Sequence, residues 1–311
     1  MKRGKPWRTA LLAGRSRHRF GQVTTLDAFA AQPRPLIVTI YGLYARETGW
    51  LSIAGLIRLM AELGVDEPAV RSAISRLKQR GLLEPRRESG AAGYGLSDRG
   101  SAILAEGDRR IFSRPRATIE AGWLVAVFSV PEDERARRHT LRSRLAWLGF
   151  GSVAAGVWIA PAQLAAETTE VLAADGLSGY VSLFTADYLA FGDLRQEVAR
   201  WWDLDRLEQL YQAFIDSAAS VLTRWETGVG VGAHADGEGV GGGAGSAASG
   251  QAFADYVRVV TAWRRLPFLD PGLPAELLPA DWHGARAAEL FGRLTLLLAE
   301  MARRHVADVV T

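Results

Sequence analysis

Six polar side chains recur at helical spacing on one face of a short stretch of this sequence. At about 100° per residue, the face consists of Ser72, Ser75, Arg76 and Gln79 at its centre and Arg71 and Lys78 on its flanks. Hydroxyl, amide and guanidinium groups can bind base edges and phosphates in a DNA major groove. A merely solvated face would more often mix Glu with Lys, but no acidic residue occurs between Val70 and Leu83. We therefore predict that the central four residues read bases and that the flanking two hold phosphates; a helix used for protein contacts is the alternative.

Two helices joined by a tight turn must position this face. Apolar residues repeat at helical spacing from Ser52 to Leu63, and Gly64 follows where a left-handed residue favours glycine. Asp66 stands where the N-cap of the next helix belongs. That second helix is predicted over Glu67–Arg80 and ends at Gly81. Its inward face is apolar and consists of Val70, Ala73, Ile74 and Leu77.

A basic hairpin is predicted directly after the second helix. Its first strand runs from Leu82 to Glu88, its flexible tip spans Ser89–Gly93, and its second strand is Tyr94–Leu96. A winged helix places such a hairpin against the sugar-phosphate backbone, so Arg86 and Arg87 are predicted to hold phosphates.

The remainder of this predicted winged domain, residues 33–112, consists of two more helices. One covers Pro33–Glu47, and the other is capped at Ser97–Gly100 and ends near Phe112. Residues 1–32 form a basic arm, since Met1–Phe20 has seven Lys or Arg residues and no acid. Such an arm either neutralises phosphates or is simply a solubilising tail.

Alternating strands and helices predict a second domain over residues 113–195. The three strands are Leu124–Phe128, Val153–Ile159 and Tyr180–Thr185, Leu189–Phe191 is a candidate fourth, and the helices are Pro131–Leu148 and Pro161–Ala174. This order suggests a ferredoxin-like βαββαβ sandwich. The arginines of its first helix, Arg144 among them, are predicted to point mostly outward.

Residues 196–311 are predicted to form a helical C-terminal domain. A low-complexity stretch, Gly228–Gly250, interrupts it and is interpreted as a flexible insertion. The fold class predicted for the whole chain is therefore α+β.

The amino-acid composition restricts the possible functions and the cellular compartment. The net charge of the 311 residues is only +3, so DNA affinity must come from local basic patches. The chain has no cysteine, which excludes disulfides and fits a reducing compartment. No apolar run approaches the ~20 residues that cross a bilayer. We expect a soluble, cytoplasmic protein that does not engage the membrane.

Several stretches together resemble the PaaX family, the transcriptional repressors of bacterial phenylacetate-type catabolism. They include GVDEPAVRSAISRLKQRGLL from Gly64, GLSDRG from Gly95, LRSRLAWLGFGSVAAGVWIAP from Leu141, WWDL from Trp201 and DPGLPAELLPADWHG from Asp270. The resemblance extends from about Pro33 to Ala287. It implies the same three-part fold, a homodimer on operator DNA, and release by an acyl-coenzyme A such as phenylacetyl-CoA.

The acyl-CoA effector needs a site for its phosphates, and guanidinium groups bind phosphate well. The candidate effector residues are Arg135, Arg138, Arg142, Trp263 and Arg264, although the three helix arginines could equally form a solvated face. Two departures from the family pattern bear on the effector. The insertion at Gly228–Gly250 is long, and Thr261 and Ala262 occupy positions where the family is expected to have a His-Glu pair.

Two other classes of function compete with a dimeric repressor. A winged helix can serve as a protein-interaction adaptor without specific DNA binding. The central domain also resembles small ferredoxin-like CRISPR-associated nucleases, which carry a metal-binding aspartate at the end of the first strand. Here that position is Ser129, which lacks a carboxylate for a hard cation. No cofactor or metal is therefore expected, and an enzyme is disfavoured.

Overall fold

The structure, a computed structural model, describes residues 32–46, 48–112, 116–189, 191–228 and 242–310. These residues form two compact units, each containing one antiparallel sheet. The three-strand unit comprises 32–46, 48–109, 210–228, 242–264 and 283–310, and the four-strand unit comprises 110–112, 116–189, 191–209 and 265–282. The chain is thus a mixed helix and sheet protein, as the sequence predicts. The basic arm lies outside the described residues except for Gln32.

The three-strand unit begins with a helix, a short strand and two further helices. These are α1 (Pro33–Tyr44), β1 (Trp50–Ser52), α2 (Ile53–Glu62) and α3 (Glu67–Gln79). The inward faces of all three helices are buried, including every apolar residue predicted for α3.

The predicted caps of α2 and α3 are confirmed. The Ser52 side chain accepts a hydrogen bond from the backbone N–H of Gly55 at 3.0 Å, and the Asp66 carboxylate accepts one from Ala69 at 2.8 Å. Between the helices, Gly64 has a φ of +76°, a conformation that glycine adopts without steric cost. The turn between α2 and α3 is therefore encoded locally.

A hairpin follows α3 and joins β1 in one sheet. Its strands are β2 (Leu83–Glu88) and β3 (Ala91–Leu96), and the strand order is β1-β3-β2. The predicted tip was too long: the turn consists of Ser89 and Gly90 alone, both with positive φ, as in a tight two-residue hairpin turn. Gly93 is instead a strand residue, paired with Ser52 and Arg86. A Cβ at this position would lie 2.2 Å from the carbonyl oxygen of Leu51, so the close approach of β1 requires glycine.

Long C-terminal helices complete this unit. Helices α9 (Gly242–Trp263) and α11 (Gly284–Val310) lie wholly in it, and α4 (Asp98–Phe112) and α8 (Leu204–Thr227) lie mostly in it. Helix α9 packs on α1 and on α11, and α11 packs on α2. The Glu62 carboxylate of α2 lies 2.7 Å from Nε2 of His305 on α11. The C-terminal helices therefore belong to the same compact unit as the predicted recognition helix.

The four-strand unit has the element order β4 (Trp123–Phe128), α5 (Arg135–Leu148), β5 (Gly151–Ala154), β6 (Val157–Pro161), α6 (Ala165–Ala174) and β7 (Val181–Ala186). All neighbouring strands are antiparallel and the order in the sheet is β5-β6-β4-β7. Apolar residues of both helices pack with Leu124 and Ala126 of β4 in one buried core.

Two strand predictions in this unit were wrong. The stretch predicted as one strand, Val153–Ile159, contains the end of β5, a turn and the start of β6, because Gly156 has a φ of +81° and reverses the chain. Leu189–Phe191 adds no strand: residues 187–189 are irregular, residue 191 is part of a bend, and Leu189 and Phe191 are highly exposed.

Arg144 also departs from its predicted outward orientation. Its side chain is only 1% exposed, and its Nε pairs with the Asp175 carboxylate that follows α6. Helical periodicity places Arg144 between Leu141 and Leu148 on the inner face, and a partner thirty-one residues away compensates its burial.

The remaining elements are α7 (Leu194–Trp201) and the one-turn helix α10 (Leu266–Leu269). Trp201 and Trp202 pack edge-on or tilted against Trp123, so these tryptophans are packing residues. Part of the predicted Gly-rich insertion is helical, since α9 begins at Gly242; residues 229–241 lie outside the described residues.

Candidate nucleic-acid interface

The polar face of α3 has the exposure that the sequence predicts. Its six residues, Arg71, Ser72, Ser75, Arg76, Lys78 and Gln79, are all exposed. The four central side chains make no hydrogen bond or ion pair with any residue that the structure describes. As far as the described ranges go, their donors and acceptors are therefore unoccupied.

The two flanking residues are partly engaged within the protein. Arg71 forms an exposed ion pair with Glu67 at 2.7 Å, one turn earlier on α3. The ammonium group of Lys78 lies 5.7 Å from the centre of the Tyr94 ring. Exposed pairs of this kind are weak, so both cations can exchange these partners for a phosphate.

Arg86 and Arg87 lie on β2, the first strand of the hairpin, as the sequence predicts. Because consecutive strand residues point to opposite faces, the two side chains diverge. Arg86 pairs with Glu88 at 2.7 Å, and its carbonyl oxygen accepts a hydrogen bond from the indole of Trp50 at 3.3 Å. Arg87 is exposed and has no ion pair within the described parts of the chain. Arg87 is therefore the stronger phosphate candidate of the pair.

Arg34 is a residue that the sequence reasoning missed. Partial burial lowers the pKa of its guanidinium, and the nearby charges of Arg80 and Arg76 lower it further. The first turn of α1 therefore brings a cation close to Arg76 of α3 and to Arg80 at the C-cap of that helix. Like charges held together attract an anion such as a phosphate. Helical periodicity could not reveal this cluster, because it depends on how α1 packs against α3.

The five candidate effector residues fall in different units. Arg135, Arg138 and Arg142 lie on α5 of the four-strand unit. Trp263 and Arg264 belong to the three-strand unit, where Trp263 is 6% exposed and stacks on Phe291 with ring centres 4.8 Å apart. Arg264 donates a hydrogen bond to the carbonyl oxygen of Pro35 at 3.2 Å.

Thr261 and Ala262, the positions that depart from the family pattern, are both buried in the three-strand unit. The Thr261 hydroxyl oxygen lies 2.8 Å from that of Thr39 on α1. Where the family is expected to have a His-Glu pair, this chain has a buried hydrogen bond that joins α9 to α1.

Among the described residues, no group of three or more His, Cys, Asp or Glu side chains could hold a metal ion. Ser129 is exposed just beyond β4. No helix in the described part of the chain is long and apolar enough to span a membrane.

Three family models together match most of the chain. The model of a PaaX-like protein matches residues 32–100, that of the PaaX central Cas2-like domain matches 116–198, and that of the PaaX-like C-terminal domain matches 242–308. The chain belongs to the PaaX family. The match to the first PaaX model includes the whole exposed face of α3 and the β2–β3 hairpin.

The chain is also similar to individual proteins. The chain is 27% identical over 290 residues to the transcriptional repressor PaaX of Escherichia coli K12, covering 91% of this chain and 85% of that protein. It is also similar to the structure of an uncharacterized protein, Rv0674 of Mycobacterium tuberculosis, with 25% identity and a TM-score of 0.57 over 88% of this chain and 99% of that one. The chain is therefore a PaaX-family transcriptional regulator and not an enzyme.

Proposed function

We propose that this protein is a dimeric repressor that binds operator DNA and is released by an acyl-CoA of an aromatic-acid, phenylacetate-type catabolic pathway. The observation that carries the proposal is the polar face of α3. Its central hydroxyl, guanidinium and amide groups are exposed and have no bonding partner among the described residues. Repression by the E. coli relative supports the same function.

In this proposal α3 enters the major groove of the operator. Ser72, Ser75, Arg76 and Gln79 face the base edges, where an arginine can donate two hydrogen bonds to a guanine. Arg71, Lys78 and Arg87 hold phosphates, with Arg86 contributing once it leaves Glu88. Arg34, which the packing of α1 adds, neutralises a further phosphate.

The proposed architecture is a winged helix-turn-helix, a ferredoxin-like centre and a helical C-terminal part. The two capped helices and the β2–β3 hairpin support the first, and the antiparallel order β5-β6-β4-β7 supports the second. The boundaries at residues 33–112, 113–195 and 196–311 remain a proposal. Helices α9 and α11 pack directly on α1 and α2, so the C-terminal part is proposed to support the DNA-binding helices.

Two copies of the chain would present two α3 helices to one operator. Two-fold symmetry then requires an inverted repeat whose half-sites are about one helical turn (~34 Å) or a multiple apart. The acyl-CoA would release the dimer by changing the separation of the two α3 helices. It can do so only through different affinities for the DNA-bound and free conformations.

Contacts inside the three-strand unit support a path for such a change. The Thr39–Thr261 hydrogen bond connects α1 to α9, and the Glu62–His305 contact connects α2 to α11. A movement of α9 would therefore displace α1, and a movement of α11 would displace α2; α1 and α2 are the helices that orient α3.

DNase I footprinting on the DNA upstream of the protein's own gene tests the proposal. We expect protection of an inverted repeat, and protein with Arg76→Ala should lose that protection at concentrations where the normal protein gives it. An absence of any protected region there, with the protein folded, would contradict operator binding on that DNA and favour the adaptor alternative.

A further inference from the structure

A cavity of about 420 Å³ lies in the four-strand unit, between the end of β4, the β5–β6 turn and α5. Small-molecule sites usually have volumes of ~300–1,000 Å³ and place a few polar groups against an apolar lining. The polar groups of this cavity are the side chains of Ser129, Arg138, Arg142 and Ser152. The cavity thus has the size and the donors of a site for an anionic ligand.

Contacts at the cavity wall hold Arg138 in place. One of its terminal nitrogens donates a hydrogen bond to the carbonyl oxygen of Val130 at 2.6 Å, and the other lies 3.3 Å from the Glu132 carboxylate. The Glu132 carboxylate also pairs with Arg135, at 3.3 Å. The Arg138–Glu132 ion pair is long and exposed, and Arg138 shares this carboxylate with Arg135, so the pair satisfies Arg138 only partly.

Arg142 lies one helical turn beyond Arg138 on the same face of α5. Its guanidinium has no hydrogen bond or ion pair with any other residue in the described ranges. The hydroxyls of Ser129 and Ser152 are likewise without a side-chain hydrogen bond there. One arginine and two hydroxyls therefore face the cavity with their hydrogen-bonding capacity unused inside the described protein.

The cationic surface continues beyond the cavity. A second depression of about 400 Å³ shares Arg138 and Arg142 with it and extends along α5 past Arg135 and His139. A ligand with more than one phosphate could therefore keep one group in the cavity and another along α5.

The inner wall of the cavity is apolar. It includes Phe128 and Trp158, and Trp158 is only 8% exposed because it belongs to the core of the unit. The backbone N–H of Phe128 donates to the carbonyl oxygen of Gly156 at 2.8 Å, which fixes the β5–β6 turn at the mouth. A preformed pocket loses little conformational entropy when it binds a ligand.

We infer that this cavity binds a phosphorylated small molecule with a short apolar group. Arg138 and Arg142 hold a phosphate, the hydroxyls of Ser129 and Ser152 donate to it, and an apolar group directly next to that phosphate lies against Phe128 and Trp158. A concave site of this volume fits a small ligand better than the backbone of duplex DNA. This inference rests on the proposed acyl-CoA response and gives that response a location.

Isothermal titration calorimetry of the full-length protein without DNA tests the site. The probes are phenylacetyl-CoA, coenzyme A and phenylacetate. Because hydrogen bonds to charged groups contribute strongly, Arg142→Gln should weaken binding of both phosphate-bearing probes roughly tenfold or more. Ser152→Asp, which adds a negative charge to the cavity wall, should weaken the same two probes. Phenylacetate should bind weakest to the normal protein.

Arg137→Gln is the matched control, because Arg137 lies on the same helix but lines neither cavity and pairs with Glu134 at 2.5 Å. It should change the affinities less than about twofold.

Equal affinities of the Arg142→Gln and normal proteins would overturn the inference, as would the absence of binding by either phosphate-bearing probe. DNA binding measured without ligand distinguishes failure of the cavity site from failure of the proposed repressor function. A normal protein that binds operator DNA but neither phosphate-bearing probe would refute the cavity site and leave the repressor function in place. Loss of operator affinity in Arg142→Gln, without binding of either probe, would make this face a DNA surface and refute the small-molecule site.

Discussion

The side-chain oxygens of Thr39 on α1 and Thr261 on α9 lie 2.8 Å apart, and both residues are buried. Thr39 also donates to the carbonyl oxygen of Pro35 at 3.1 Å. With its proton used in that way, Thr39 accepts from Thr261. The first helix of the proposed DNA-binding region is thereby joined to a C-terminal helix at the position where this chain departs from the expected family pattern.

Replacing Thr261 by Val should lower the free energy of unfolding by about 1 kcal/mol, because Thr39 loses its buried donor while the volume stays similar. Urea unfolding measures this change. In a double-mutant cycle, Thr39→Val and Thr261→Val should together cost less than the sum of the single changes. Strict additivity would show that the two hydroxyls do not interact.

If Arg76 donates two hydrogen bonds to a guanine, Arg76→Ala should reduce operator affinity by about 1–3 kcal/mol and weaken the base preference at one base pair. Binding to the operator and to single-base variants measures both effects. Lys78→Ala is the comparison, since loss of a phosphate contact weakens all sequences alike. An equal loss on operator and random DNA would make Arg76 a phosphate contact too.

Arg87→Ala should weaken binding to every sequence. Because one phosphate contact is lost, binding should also release about one counterion fewer, which makes the affinity less dependent on salt concentration. The measurement is the slope of the logarithm of affinity against the logarithm of salt concentration. Arg86→Ala should change the slope less, since Glu88 already neutralises Arg86. An unchanged slope for Arg87→Ala would show that the hairpin does not contact the DNA phosphates through this residue.

Asp175→Ala should destabilise the four-strand unit by about 3 kcal/mol, because Arg144 would stay buried without its carboxylate. Nη1 of Arg144 already has no hydrogen-bond partner among the described residues. The double variant Arg144→Met with Asp175→Ala should recover much of the loss, since it removes the buried charge. Thermal unfolding compares the two, and a double variant less stable than Asp175→Ala would contradict this account.

Local signals in the sequence predict much of the three-strand unit correctly. The caps at Ser52 and Asp66 depend on residues three positions away, and Gly64 acts within its own turn. The exposed face of α3 follows from helical periodicity alone. Such features require no knowledge of distant parts of the chain.

Long-range packing accounts for what the sequence could not predict. The hairpin at Gly156 was missed because apolar strand residues flank the turn on both sides. Arg144 was placed outside because its partner, Asp175, follows a different helix. Arg34 joins the cationic surface only because α1 packs on α3, and the alignment of the four cavity groups depends on the fold of the sheet.

Fluorescence anisotropy with the DNA upstream of the protein's own gene and the neighbouring catabolic operon tests the central claim most directly. At fixed physiological salt and with random competitor DNA, the account predicts tight, competitor-resistant binding that phenylacetyl-CoA weakens. Specific binding that ignores this thioester would keep the regulator but contradict the proposed effector. Binding that random DNA removes as easily as operator DNA would contradict the repressor itself.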